Sequence, residues 1–73
     1  MSRRWCHAAA LRAAIRERLS RDHLTAHVLA ERLGIGVTTA HEALRDLERD
    51  GAVERTAERD ARGIYWRAVR HDA

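Results

Sequence analysis

The chain has few of the residues on which disulfide-stabilised, membrane and multidomain proteins depend. Its 73 residues contain one cysteine and no proline, phenylalanine or lysine. A lone Cys6 excludes an intramolecular disulfide framework and is typical of a reducing compartment. No apolar run approaches a membrane span, and the basic N-terminus leads into an amphipathic pattern instead of a signal-peptide core. We therefore expect one small cytoplasmic domain over residues 1–73, with residues 1–6 as a flexible basic arm.

Patterns that carry catalysis or metal binding are also missing. The sequence has no glycine-rich phosphate loop, no Cys–His–acid constellation and no pair of carboxylates in a pocket-like pattern. Five histidines accompany the cysteine. A structural metal site needs three or four converging ligands, however, and His23 and His27 lie on either side of a predicted helix start. We expect no enzyme activity, no cofactor and no metal site.

Arginine is what the chain has in excess. All 14 basic residues are arginines, and with 11 acidic residues they give a net charge of +3. They dominate residues 1–21 and 55–73, whereas residues 22–54 are acidic. Arginine binds phosphates and base edges through a planar fork of donors, which favours a nucleic-acid partner. A GC-rich coding sequence explains the same composition equally well.

Apolar spacing predicts two helices in the first half of the chain. The first is expected over 7–20 and the second over 26–33, with Thr25 as the N-cap of the second and Gly34 as the glycine that ends it. Ala30 is small where two helices would cross. The apolar residues at helical spacing are Ala8, Leu11, Ile15 and Leu19 in the first helix, and Val28, Leu29 and Leu33 in the second.

A third helix is predicted over about 37–50, and the pattern then changes to strands. Gly36 begins this helix and Gly51 ends it, with Ala40, Leu44 and Leu47 on its inward side and Ala43 at the edge. Leu24 is expected to form a one-residue strand. Two further strands over 53–56 and 64–69 enclose a hairpin loop at 58–63. Ile64 and Trp66 are expected to point inward, and Trp5, Tyr65 and Trp66 to pack in the core.

This order of elements predicts a winged helix-turn-helix, which is an α+β fold, mostly α, with three helices and a two- to three-stranded antiparallel wing. The segments LAERLGI (29–35) and ALRDLERDGAVER (43–55) resemble winged helix-turn-helix bacterial regulators of the GntR, MarR and ArsR types. RGIYWR (62–67) is similar to the returning wing strand of MarR- and ArsR-like proteins. The resemblance covers about residues 8–70. It implies a bacterial-type, nucleoid-associated repressor that binds double-stranded DNA.

The chain departs from the GntR pattern at several contact positions. Gly36 and Val37 stand where that pattern has a capping serine and an arginine, and His41 and Asp46 stand where it has basic residues. These positions are less basic than the resemblance implies. The alternative is therefore a winged-helix module that binds a protein, as an adaptor or inhibitor, and does not bind DNA.

Domains that bind left-handed DNA share the same fold and a wing tryptophan similar to Trp66. That resemblance calls for an asparagine and a tyrosine on the third helix, at positions that here are His41 and Arg45. We therefore do not expect this chain to recognise left-handed DNA.

The candidate DNA-binding residues lie on the third helix and the wing. With its apolar side inward, the third helix is expected to enter the major groove while the first helix and the wing contact the backbone. A solvated helix face and a soluble hairpin tip are the alternatives. The candidates are Thr38, Thr39, His41, Glu42, Arg45 and Arg49 on the helix, and Arg55, Arg59 and Arg62 on the wing.

One face of the first helix is a candidate dimer surface. It carries only small side chains, which let two helices approach closely, and regulators of this kind commonly read two half-sites. The alternative is that alanine is there because it is the best helix former. The residues of this face are Ala9, Ala10, Ala13 and Ala14.

Overall fold

The computed structural model describes residues 8–69 of the chain, as three helices and three strands. No helix in this range is both long and apolar enough to cross a membrane. The predicted order of elements is confirmed, and the predicted helix bounds hold to within one residue at each end. The elements are α1 (Ala8–Arg21), β1 (Leu24–Thr25), α2 (Ala26–Leu33), α3 (Val37–Arg49), β2 (Val53–Asp60) and β3 (Gly63–Ala68).

A three-residue joint connects α2 to α3. The Thr25 side chain accepts a hydrogen bond from the Val28 amide at 3.2 Å, so the predicted N-cap of α2 is confirmed. Gly34 ends α2 in the left-handed conformation, with φ at 68°. The Ile35 amide then donates to the Ala30 carbonyl at 3.0 Å. These bonds satisfy the exposed end of α2 and turn the chain directly into α3.

A single apolar core joins the helices to the sheet. Ile15, Leu29 and Leu44, one from each helix, are 0% exposed. The predicted inward residues of α3 are all buried, which fixes the opposite side of α3 as its solvent face. Val28 is only half-buried at the edge of the core, so its predicted place on the buried side of α2 is only partly correct. The other large buried side chains are Leu11, Leu19, Leu24, Leu33, Leu47, Val53 and Trp66.

The sheet is antiparallel in the order β1-β3-β2. Pairing of Leu24 with Trp66 and of Thr25 with Tyr65 makes β1 two residues long, one more than expected. Trp66 is buried as predicted, and Ile64 is half-buried against the core.

The predicted hairpin loop at 58–63 is wrong. β2 continues to Asp60 and β3 begins at Gly63, so the wing turns over only two residues. Polar residues favoured a loop, but the register shifts between Arg55 and Arg59 and pairing then resumes with Arg59 opposite Ile64. This irregularity absorbs the extra residues of β2, so the charged segment stays paired in a longer wing.

Candidate nucleic-acid interface

The outward side of α3 is open to solvent. All six predicted contact residues of this helix, Thr38, Thr39, His41, Glu42, Arg45 and Arg49, are exposed. Arg49 forms a long ion pair with Asp46 at 3.8 Å. The other five side chains form no hydrogen bond or ion pair with any residue of 8–69. Their polar atoms are therefore available to a ligand.

The first turn of α3 carries no side-chain cap. Gly36 occupies the N-cap position, and its lack of a side chain leaves the first amide groups of the helix without a protein acceptor there. The positive end of the helix dipole lies at the same point. Thr38 and Thr39 add two exposed hydroxyl groups. An anion such as a phosphate fits this arrangement of donors.

Arg55 is held in place at the base of the wing. Its Nε lies 3.1 Å from Glu48 Oε2, and its Nη2 donates to Glu48 Oε1 at 3.3 Å. The guanidinium carbon lies 5.2 Å from the centre of the Trp66 ring. A cation over an indole face is attracted by the ring quadrupole. The acid and the ring together fix the plane of this guanidinium. The sequence predicted Arg55 as a contact residue but not these two contacts, because they depend on the strand register.

The wing tip is closed by bonds to a single carboxylate. The Arg62 amide donates to Asp60 Oδ1 at 2.8 Å, and the Tyr65 hydroxyl donates to Asp60 Oδ2 at 2.6 Å. The Tyr65 hydrogen bond is the main cause that lowers the pKa of Asp60, and the same bond raises the pKa of Tyr65. The tip is thus shaped by its own hydrogen bonds.

A recess of about 190 Å³ lies between α3 and the wing. Its cationic side chains, Arg45, Arg55 and Arg62, come from both elements, and Ile64 and Trp66 contribute apolar wall. Neither Arg45 nor Arg62 forms an ion pair with a residue in the described part of the chain. The structure therefore brings together predicted contact residues from α3 and the wing. The remaining residues around this recess are Ala26, His41 and Gly63.

Five residues of the predicted set are exposed but do not line this recess: Thr38, Thr39, Glu42 and Arg49 on α3, and Arg59 on the wing. Arg59 pairs with Ile64 across the strands, which places its side chain on the same face of the wing as Arg55. It therefore extends the basic face toward the tip.

The other face of the wing sheet is occupied differently. Glu54 forms an ion pair with Arg67, and successive strand residues alternate between faces, so this pair points away from Arg55 and Trp66. Glu54 and Arg67 line a separate groove with the C-terminal half of α1. This groove holds none of the predicted contact residues.

The predicted alanine surface of α1 is smaller than expected. Ala9, Ala10 and Ala13 are exposed, but Ala14 is half-buried and packs against the core. It lies next to the buried residue Ile15 at the edge of the inward stripe and contributes less surface than the other three, and the dimer face stays a prediction.

Several sequence predictions fall on residues that the structure does not describe. The basic arm at 1–6, with Trp5 and Cys6, and the histidines at 7 and 71 lie outside the described range, so they stay predictions. Within 8–69, no group of three or more histidine or acidic side chains is placed to hold a metal ion.

No protein-family model matches the sequence, and no curated protein sequence is significantly similar to it. Solved structures are similar to the chain in fold. The Zalpha domain of Carassius auratus PKZ, in complex with Z-DNA, has a TM-score of 0.75 and 19% identity, covering 85% of this chain and 97% of that domain. Lactococcus lactis ZitR in complex with DNA has a TM-score of 0.72 and 22% identity, covering 93% of this chain and 46% of ZitR.

The zinc-dependent MarR family transcriptional regulator AdcR has a TM-score of 0.67 and 26% identity, over 94% of this chain and 47% of AdcR. The fold is a winged helix-turn-helix. The predicted fold class is confirmed. This winged helix-turn-helix chain spans about half the length of the ZitR and AdcR chains.

Proposed function

We propose that this chain binds double-stranded DNA and regulates transcription, with α3 in the major groove and the wing and α1 on the backbone. One observation carries the proposal: the open side of α3 adjoins a recess lined by arginines of both α3 and the wing. A helix-turn-helix unit commonly inserts its second helix in this way. The DNA complexes of ZitR and of the PKZ domain support the same use of the fold.

Each predicted contact has a chemical partner on DNA. Thr38 and Thr39, at the uncapped start of α3, bind a phosphate. His41, Glu42 and Arg45 reach base edges, where arginine matches the acceptors of guanine and a carboxylate accepts from cytosine. Arg49 lies further along the same helix. Arg55, Arg59 and Arg62 contact phosphates from the wing.

Placement of charge, and not its total, carries the affinity in this proposal. Residues 8–69 hold eleven arginines and ten carboxylates, so the described part is nearly neutral. A site on a promoter would be occluded by the bound protein, which gives repression. Two copies joined through Ala9, Ala10 and Ala13 would read two half-sites.

Selection of bound fragments from random duplex DNA tests the proposal, followed by affinity measurements at several salt concentrations. Contact with about 4–8 phosphates gives a log–log salt slope of about −0.9 per phosphate. A consensus sequence with such a slope supports the proposal. A salt-insensitive complex, or selection without enrichment, contradicts it. Enrichment without a consensus, with footprints at helical phasing, indicates an architectural DNA-binding protein.

A protein-binding module is the second candidate. The exposed side of α3 carries Glu42 and Asp46 beside Arg45 and Arg49, so the charges on this side cancel. Such a surface suits a protein partner with its own mixed charges. Failure of mobility shifts on both random and genomic DNA, with one protein that co-purifies through α3, favours this candidate.

Left-handed DNA serves as a comparison ligand in the same assays. The PKZ domain was solved with Z-DNA, but His41 and Arg45 stand where the resemblance calls for asparagine and tyrosine. We therefore expect no preference for a left-handed duplex over a right-handed duplex of the same sequence. Circular dichroism of an alternating CG duplex, with and without the protein, measures this.

A further inference from the structure

We propose that the recess between α3 and the wing binds a single phosphodiester group of the nucleic acid, and that Glu48 limits the affinity of this site by competing for Arg55. The source of the phosphate rests on the proposed function. The recess itself rests on the geometry of the described residues.

The recess is built for a tetrahedral anion. Arg45, Arg55 and Arg62 line one space of about 190 Å³. Arg55 and Arg62 are the phosphate-contacting residues of the proposed function, and Arg45, which reaches a base edge there, adds positive charge to the same space. This volume is several times the share of one water molecule in the liquid, about 30 Å³, so it admits a phosphate with some of its hydration. Arginine donors match phosphate oxygens in pairs. Trp66 and Ile64 supply an apolar wall that keeps water away from one side of the anion.

Glu48 has two opposing effects on this site. Both of its carboxylate oxygens contact Arg55, and one of the five N–H donors of this guanidinium is already used in a hydrogen bond. The contact orients Arg55 over Trp66 and leaves donors for a phosphate. The negative charge, however, repels that phosphate. Glu48→Gln separates the two effects, because the amide keeps an oxygen that accepts from Arg55 while the charge is removed.

Glu54 provides a matched control. It also lies within an ion pair with an arginine of the wing sheet, and its side chain is 43% exposed, compared with 36% for Glu48. Glu54→Gln changes the net charge by the same amount. Its partner Arg67 points to the other face of the sheet and does not line the recess. A general electrostatic effect changes both variants equally, whereas a specific site responds to Glu48 alone.

Titration of the full chain with inorganic phosphate, followed by NMR, tests the site without DNA. Sodium chloride at equal ionic strength is the reference. We expect shifts at His41, Arg45 and the Trp66 indole, with an apparent affinity about threefold higher in Glu48→Gln at low salt. Glu54→Gln is expected to match the unchanged chain, and Arg62→Gln to weaken binding. Equal responses of the two glutamine variants, or shifts scattered over all arginines, overturn the proposal.

A parallel titration with duplex DNA separates this inference from the proposed function. Stronger duplex binding by Glu48→Gln, with a salt slope steeper by about 0.9, supports both the phosphate site and the proposed function. Duplex binding that is identical in Glu48→Gln and the unchanged chain overturns the phosphate site and leaves the proposed function standing. A phosphate response at the recess without any duplex binding overturns the proposed function, and with it the nucleic acid as the source of the phosphate.

Discussion

The outward side of α3 and the wing differ in how their polar side chains are used. Five of the six candidate side chains on α3 bond to no other residue within 8–69, and its first turn has no side-chain cap. In the wing, by contrast, Arg55 is held by Glu48 and Trp66, and the tip is closed on Asp60. The α3 surface is open, whereas the wing has a fixed backbone tip and one fixed arginine, Arg55; the side chains of Arg59 and Arg62 form no ion pair within 8–69.

This difference indicates that α3 and the wing have different roles in DNA binding. Side chains that are free in the unbound state can adapt to base edges, although they lose rotamer freedom when they bind. Side chains that are already fixed lose less, and they set the position of the protein on a regular backbone. We therefore expect α3 to read the DNA sequence and the wing to position the protein on the backbone. Four sets of substitutions test this difference.

Truncation of a side chain in the core that α3 and the wing share should destabilise both surfaces at once. Leu44 is 0% exposed, and its replacement in Leu44→Ala is expected to cost about 2–5 kcal/mol of unfolding free energy. Domains of this size have a total stability on the order of 4–11 kcal/mol, so much of the chain should unfold. Urea denaturation measures the loss. Thr38→Ala, on the exposed side of the same helix, is the control, and a similar loss there would contradict the assignment of faces.

Arg45→Ala should weaken DNA binding while leaving the fold intact. The loss of a bidentate contact to a base is worth about 1–3 kcal/mol, or roughly a 5- to 150-fold fall in affinity. Arg67→Ala removes the same charge on the other face of the wing sheet, where its ion pair is with Glu54. Fluorescence anisotropy with the selected duplex compares the two. Equal losses would mean that general charge, and not α3, carries the binding.

The joint between α2 and α3 should tolerate a side chain at Gly36 but not at Gly34. A side chain at Gly34 meets no atom within 4 Å, but φ is 68°, so Gly34→Ala is expected to cost about 1–2 kcal/mol through backbone strain alone. Gly36→Ser, where φ is −72°, adds a capping hydroxyl and should change stability by only a few tenths of a kcal/mol. Thermal unfolding of both variants checks this. A neutral Gly34→Ala would refute the strained turn.

The smallest effect concerns the pH dependence of the wing tip. The Tyr65 hydroxyl favours the charged form of Asp60 and lowers its pKa, so closure of the tip is complete above the ordinary carboxyl pKa and is lost as the pH falls through the lowered value. Tyr65→Phe should move the pKa of Asp60 back toward its ordinary range, as followed by the carboxyl carbon signal.

Thr56→Val is the control for that titration. It removes another wing hydroxyl, which accepts from the Glu58 amide and does not touch Asp60. An unchanged Asp60 titration in Tyr65→Phe, or an equal change in both variants, would contradict the proposed cause of the shift.

The helices were predictable because their signals are local. Thr25, Gly34 and the apolar spacing around Leu44 each act within a few residues of chain, and the structure confirms them. The extent of the wing was not predictable, because strand pairing past the irregularity between Arg55 and Arg59 depends on the partner strand. The same reason hid the contact of Arg55 with Glu48 and Trp66. Exposure of the candidate residues followed from helix periodicity, whereas the recess required the tertiary structure.

The most direct measurement is amide chemical-shift mapping of the full chain with its selected duplex. We expect the largest shift changes along the exposed side of α3, from Thr38 to Arg45, and smaller ones at Arg55 and Arg62, with the groove at Glu54 and Arg67 unaffected. Changes confined to that groove and to α1, with α3 silent, would contradict this expectation.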